Sequence, residues 1–468
     1  MKNSYIYMIG EIIPKIMSLL LLPVMTRFLT PEDYGIIAYV DAIVVFIFVF
    51  SVMSLNSYIL REYFESKNKV QQKKLIGNFF IFLIVYNIIS VFIFIGLLSL
   101  LFSVLNLQFD FYPIMLLALL CNFFEIFSIF PQILYRIQEK AIKYIYFTVS
   151  KTILQIGSIV ILLVYFEQGV LSKYYGVLGI NILFAIISIF IVRKNAIFSY
   201  NNIQIKQGLK FSMPLVVGAL SYLVLDISDR LILEQYVSLN DLGLYSIAYT
   251  LGFAVNVIIS GSYKAFEPIL FKEAKGDDFL NIFYIIRKQY MFLVFLVGLL
   301  VILFSQELLR FMTSESFYES YYLVPFIVLA AITKGIYMLY AVLLMIHKNT
   351  KLLSQSVIIG GIVNISINLI FVETYGTIVA AISTFVAFFI MTLIVHMKSF
   401  NYYNFSFFHE LKEYFIIFSF LLISYMLYFL FDIELNINMF IMKIVILISI
   451  LFLLLKHYDL KILRLLKG

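Results

Sequence analysis

Apolar runs of about 18 to 25 residues follow one another along nearly the whole chain, separated by short polar links, and each is long enough as a helix to cross a ~30 Å hydrocarbon layer. The first six lie near 5–28, 35–60, 76–103, 112–135, 145–166 and 176–193. After a longer polar link come runs near 211–234, 243–265, 289–310, 322–346, 353–372 and 376–397, then 413–431 and 438–456. The runs are continuous and do not alternate apolar and polar over about 10 residues, which excludes a membrane β-barrel. The pattern predicts an all-α polytopic membrane protein of about fourteen transmembrane helices.

Some runs carry charge. The stretch from Ser212 to Ile247 holds Asp226, Asp229 and Arg230, which share one side of a helix because residues three and four apart are neighbours. An ionised group at mid-membrane costs from about 3 to over 10 kcal/mol, so such a face needs a polar cavity or a partner.

Composition closes the alternatives. The chain is 63% hydrophobic and 13% charged with mean hydropathy +1.01, outside the range of soluble proteins of 468 residues. Cys121 is alone, so no disulfide framework exists. His347, His396, His409 and His457 are scattered near run ends and form no metal-ligand pattern. No phosphate-binding glycine loop occurs, so ATP is not expected to be used, and no cofactor is expected. No cleavable signal is expected either, since the first run contains Glu11 and Lys15 and leads straight into the next.

The net charge of +7 is explained by where it sits. Lys67, Lys69, Lys73, Lys74, Lys140, Lys143, Arg193, Lys194, Lys206, Lys210, Lys272, Lys275, Lys348, Lys351 and Lys398 fall in alternate links, with Lys2 and the basic tail on the same side. The opposite links hold only Arg27, Lys173 and Arg310, beside many acids. By the positive-inside rule the basic links and both termini face the cytoplasm. The excess charge therefore reflects topology, not a nucleic-acid surface, and the short outer links leave no room for an extracytoplasmic domain.

An internal repeat organises the runs. Thr30-Pro31-Glu32-Asp33-Tyr34-Gly35 and Ser238-Leu239-Asn240-Asp241-Leu242-Gly243 both read [ST]-x-x-D-x-G, at an offset of 208 residues. The hydroxyl can cap a helix N-terminus and the aspartate can answer it as in a capping box. Both motifs open the second run of a six-run unit, on the same side of the membrane. Six is even, so the units run in the same sense, related by an axis along the membrane normal. This predicts an N-terminal six-helix lobe at 1–195, a cytoplasmic link at 196–210 and a second six-helix lobe at 211–400, with a cavity between the lobes. Two further helices and a basic tail occupy 401–468.

The same residues carry a family resemblance. Leu22 to Gly35 (LPVMTRFLTPEDYG) is similar to the first-hairpin signature of the bacterial oligosaccharide and polysaccharide flippases, in the superfamily that contains multidrug exporters and lipid II flippases. Asp229-Arg230-Leu231-Ile232-Leu233, with Ser238 to Tyr249, resembles that family's seventh-to-eighth-span pattern, and Arg61-Glu62-Tyr63-Phe64 its arginine-aromatic close of the second span. The likeness covers roughly the first 400 residues. It implies export of an undecaprenyl-diphosphate-linked oligosaccharide from the cytoplasmic to the outer leaflet of the bacterial inner membrane, for surface polysaccharide synthesis, with polymerase or assembly proteins as partners. Such a cargo needs cations for its diphosphate, polar groups for its sugars and a lateral route for its tail.

Lys15, Lys151, Arg230 and Lys334 lie within runs, with Arg27 and Arg61 near run ends, and all six are candidates for the headgroup. Glu11 and Lys15, and Asp226 and Arg230, are four apart and can equally neutralise each other. Polar stripes in helical register include Asn122, Glu125, Ser128 and Gln132; Thr148, Lys151, Gln155 and Ser158; Asn256 with Ser260; and Asn364 with Asn368. Isolated amides of this kind also serve as glue between helices, at about 0.6 kcal/mol each. Pro14, Pro23, Pro214 and Pro325 are candidate bends. Lys443 is expected to snorkel to the interface and to tolerate substitution. Glu11, Asp41, Glu125, Asp226 and Asp229 are candidates for binding a proton or sodium in an ion antiport. Two other readings stand beside the flippase. A multidrug cation antiporter of the same superfamily needs an acidic cavity. A polymerase or ligase enzyme needs a sizeable outer loop, which the sequence lacks.

Overall fold

The computed structural model describes residues 2–400, 402–403, 414–420, 422–423 and 437–458, and every regular element among them is helical. Twelve helices among these residues are long and apolar enough to cross a membrane. They match twelve of the fourteen predicted runs. The first run forms α1 (Lys2–Phe28), several of whose side chains lie outside the described set, and most of the run at 413–431 lies outside the described residues. The chain divides into two compact units, residues 1–243 and 244–468.

The first unit continues with α2 (Pro31–Val52), α3 (Leu55–Glu65), α4 (Lys69–Leu105) and α5 (Ile114–Glu125). A 3-10 turn at Ile126–Ser128 leads into α6 (Ile129–Ile137), α7 (Ala141–Val164), α8 (Leu171–Asn195) and α9 (Asn202–Tyr236). The polar residues that open these helices satisfy amides that helix geometry leaves without partners. Thr30 and Asp33 form a reciprocal capping box (3.2 and 2.9 Å) with Pro31 in the first turn. Asn68 and Asn201 cap α4 and α9 through their side chains.

The run expected as one span at 35–60 is broken. Met53 and Ser54 both sit in the left-handed region (φ 50° and 52°), which costs non-glycine residues about 1 kcal/mol or more each. The break ends α2, and the carbonyl it frees at Ser51 accepts a hydrogen bond from Asn87 Nδ2 at 2.9 Å. The link expected at 196–210 is likewise mostly helix. Only 196–201 is extended, held along α4 by Ile197 N–H on Lys73 O (2.9 Å) and by Asn78, which accepts from Asn201 N–H and donates to Gln204 Oε1. Below it, Leu75, Phe79, Phe130, Leu134 and Val192 form a buried aromatic and aliphatic cluster.

The repeat has a structural counterpart within this unit. A Cβ added at Gly35 would lie 2.0 Å from Leu239 O, and one added at Gly243 would lie 1.8 Å from Pro31 O. The 208-residue offset relates both pairs, so each motif's glycine faces the other motif's second residue. Ser238 caps the second motif, accepting from Asp241 N–H (3.1 Å) and donating to its carboxylate (2.7 Å). Gln108 also clamps this turn, donating to Glu234 O and Val237 O and accepting from Leu239 N–H.

The second unit comprises most of α10 (Leu239–Glu273), then α11 (Phe279–Leu303), α12 (Ser305–Met312), a 3-10 segment (Glu315–Tyr322), α13 (Val324–Ile346), α14 (Thr350–Tyr375), α15 (Thr377–Ser399) and α16 (Ile437–Tyr458). Nearly every residue of α13 is buried, with α11 and α15 packed along it. Pro325 occupies the first turn of α13, where it starts the helix and does not bend it. Pro14 and Pro23 fall inside α1, and Pro214 inside α9.

Lys443 corrects its expectation. It does not snorkel but is 1% exposed, its ammonium on Glu307 Oε1 and Oε2 (2.8 and 2.9 Å) and Gln306 Oε1 (2.9 Å). A carboxylate on α12, over 130 residues away, makes burial cheaper than reaching the interface.

Substitution Gly243→Ala should disrupt the paired turns, and a lowered melting temperature of the purified protein, with Gly96→Ala unchanged as an open-space control, checks this. Lys443→Met should destabilise by about 3 kcal/mol, and the double change with Glu307→Leu should recover most of the lost melting temperature.

Candidate functional site

Polar side chains on α2, α5, α7 and α8 converge inside the first unit. Lys151 Nζ on α7 donates to Glu125 Oε2 at 2.6 Å and to Ser128 Oγ at 2.9 Å. The ammonium side chain is 7% exposed and the carboxylate 34% exposed, so one partner is sealed and the other reaches open space. A second ion pair joins Lys173 of α8 to Asp41 of α2. Amides tie the helices between these pairs: Gln155 Nε2 donates to Asn181 Oδ1 (2.9 Å), Asn181 Nδ2 to Cys121 O (2.9 Å), and Asn122 Nδ2 to Ser51 Oγ (2.9 Å).

Two cavities open on this network. The first, of about 380 Å³, is lined by Lys15, Gln132, Thr148, Lys151, Thr152 and Gln155, among others. The second, of about 230 Å³, is mostly apolar but carries Asp41, Asn122, Lys173, Tyr174 and Asn181. Glu125 lines both. Asn122 Oδ1 is buried and accepts no hydrogen bond among the described residues. The first cavity thus combines two ammonium groups with amide and hydroxyl groups, a set suited to an anion that carries hydroxyls.

Of the residues singled out from sequence, Lys15, Lys151 and Glu125 come together at the first cavity, and Asp41 borders the second. The side chain of Glu11 lies outside the described set. Arg27 is exposed on the last turn of α1. Arg61 is exposed, bridged to Glu65 (2.7 Å) and set over the Phe211 ring. Half-buried Arg230 donates Nη1 to Asp226 O (3.0 Å), one turn back on α9, and Asp229 is fully buried beside it.

In the second unit, Lys334 is 4% exposed, its ammonium 4.7 Å from the Phe253 ring centre and 5.2 Å from that of Phe388, a cation held by aromatic faces. Asn256 follows Phe253 by three residues on α10, with a buried Oδ1 that has no partner among the described residues. Asn364 and Asn368 are fully buried and bond Ser383 and Thr384, joining α14 to α15 as glue.

Sequence reasoning missed Lys173, Ser51, Asn87 and Asn181 as members of this network, and Gln108 with Glu234 as the clamp on the turn before α10. Lys173 read as a link residue, although its place at the start of an apolar run, with Asp41 near the same end of another, is a signal that could have paired them.

Removing Lys151 alone by substitution to Met should leave Glu125 without its cation and cost about 2 to 3 kcal/mol. Combined with Glu125→Leu, the loss should largely vanish in a double-mutant thermal-melt cycle.

Comparison with known proteins agrees with this architecture. The chain is 25% identical over 365 residues to an uncharacterised membrane protein of Haemophilus influenzae, covering 75% of this chain and 85% of that one. Its fold matches that of the lipid II flippase MurJ in an inward closed conformation, with TM-score 0.72, 18% identity and coverage of 96% and 97% of the two chains. It also matches an inward-facing multidrug-resistance MATE transporter of the MOP superfamily, with TM-score 0.69, 13% identity and coverage of 81% and 92%. The first of those proteins is a flippase and the second a transporter. Residues 1–273, more than half the chain, match the polysaccharide biosynthesis protein family, and this membrane protein belongs to it.

Proposed function

We propose that this protein translocates undecaprenyl-diphosphate-linked oligosaccharide units from the cytoplasmic to the outer leaflet of the bacterial inner membrane, by alternating access, for surface polysaccharide synthesis. The observation that carries the reading is the first cavity, where Lys15 and Lys151 stand among Gln132, Thr148, Thr152 and Gln155 inside a bundle of apolar helices. A diphosphate cannot enter hydrocarbon alone, and two ammonium groups offset its charge. Amides and hydroxyls offer hydrogen bonds to sugar hydroxyls, and about 380 Å³ lies within the range of small-ligand sites. Lys334, Arg230, Arg61 and Arg27 serve the same anionic cargo at other stages of its passage. Asp41 and Glu125 are the carboxylates through which an ion gradient would act. Both termini lie in the cytoplasm, and polymerase or assembly proteins receive the product. A cation-exporting reading fits less well, because the first cavity holds two lysines and one carboxylate.

Lys15 is exposed and makes no hydrogen bond or ion pair among the described residues, so Lys15→Ala should leave the melting temperature unchanged yet lower polymer export at least tenfold in a flippase-deleted strain. Lys334→Ala and Arg230→Ala should also impair export. Thermal stabilisation by undecaprenyl-diphosphate sugars and not by cationic dyes would support this reading, and the reverse would replace it with drug export.

A further inference from the structure

The two lysines of the first cavity differ in one respect. Lys15 is exposed, whereas Lys151 is sealed and already held by a carboxylate 2.6 Å away. A carrier must release its cargo as well as bind it, so its site has to be strong enough to fill and weak enough to empty. A buried lysine facing a dianion with nothing to pull it back would hold that dianion too well.

We propose that Glu125 is the internal competitor that makes the cargo's diphosphate leave: Lys151 exchanges between the Glu125 carboxylate when the cavity is empty and a phosphate oxygen when it is filled. This rests on the reading of the cavity as a headgroup site. Three observations support it. Glu125 is one-third exposed while Lys151 is buried, so the carboxylate is the partner with room to move and the ammonium the partner that stays. Glu125 lines both cavities, so the carboxylate has space on two sides into which it can swing away from Lys151. Ser128 Oγ keeps a second hydrogen bond on Lys151 throughout, so the ammonium need not shift to change partners.

The energetics give the exchange its sign. Capturing the anion costs the separation of a close ion pair and leaves a carboxylate beside a dianion, and both penalties are subtracted from the headgroup affinity. The tethered carboxylate is always present at high effective concentration, so it recaptures Lys151 as soon as the phosphate loosens. Other charges bordering the carboxylate are Lys15 from α1 in the first cavity, and Asp41 and Lys173 in the second. Asp41 and Lys173 already pair with each other, so neither substitutes for Glu125.

The test uses the purified full chain and a farnesyl-diphosphate-linked hexosamine as probe, with binding measured by calorimetry and translocation by a liposome assay at one fixed pH. Glu125→Gln keeps the side-chain volume but removes the competing charge. It should bind the probe at least tenfold more tightly and translocate it at least tenfold more slowly. Glu125→Asp should fall between this variant and the wild type on both measurements. Ser128→Ala removes a neutral partner of the same lysine and should change affinity by less than about threefold. If Glu125→Gln binds the probe no better than wild type, or more weakly, the exchange is wrong while the headgroup site stands. If Glu125→Gln does not fold, unchanged affinity in Glu125→Asp overturns the exchange in the same way. If the wild type does not bind the probe at all, the headgroup site itself is wrong.

Discussion

The constraint on which this molecule turns is the cost of placing charge inside an apolar helix bundle. Lys151 with Glu125, Lys173 with Asp41, and Lys443 with Glu307 are each a cation met by a carboxylate from a distant helix. Such pairs add little net stability, because desolvation consumes most of the Coulombic gain. What they do is make a polar interior permissible. Once the two pairs in the first unit are in place, amides can fill the space between them, and cavities with charged walls can persist among helices whose outer faces are apolar.

The same constraint separates functional from structural polarity. Asn364, Asn368, Ser383 and Thr384 satisfy one another and join two helices. Asn87 answers a carbonyl freed by the break at Met53 and Ser54. Around the cavities polar groups border open space: Lys15 is exposed in the first hollow, Asn122 lines the second and Glu125 reaches both. Unused hydrogen-bonding capacity next to space is where a polar cargo can be met. Two buried lysines of the second unit have different surroundings, Lys334 against aromatic faces and Lys443 on a carboxylate.

The repeat links the sequence pattern to the backbone. The motifs at Thr30 and Ser238 look like ordinary helix caps, and as caps they behave as expected. Their glycines have a separate purpose. Each allows the other motif's chain to approach within a distance that any Cβ would block. A capping rule explains the hydroxyl and the aspartate, but only the packed structure explains why the sixth position is glycine.

Hydropathy alone determined that this chain is a helical membrane bundle, because a helix that spans hydrocarbon must be continuously apolar and satisfy its own backbone, and that requirement is written residue by residue. It located twelve of the described helices, although several boundaries differ: α4, α9 and α11 begin seven, nine and ten residues before their predicted runs, and α10 ends eight residues after its own. It also marked Lys15, Asp41, Glu125 and Lys151 as residues out of place in lipid. It did not reveal the break at Met53, since left-handed geometry there is imposed by packing and has no glycine to announce it. Nor did it reveal that Lys151 meets Glu125, that Lys173 meets Asp41, or that Lys443 is buried. Those partners lie 26, 132 and 136 residues apart, and helical periodicity relates only neighbours within a few turns. Which cations face a hollow and which are neutralised was decided by tertiary contact.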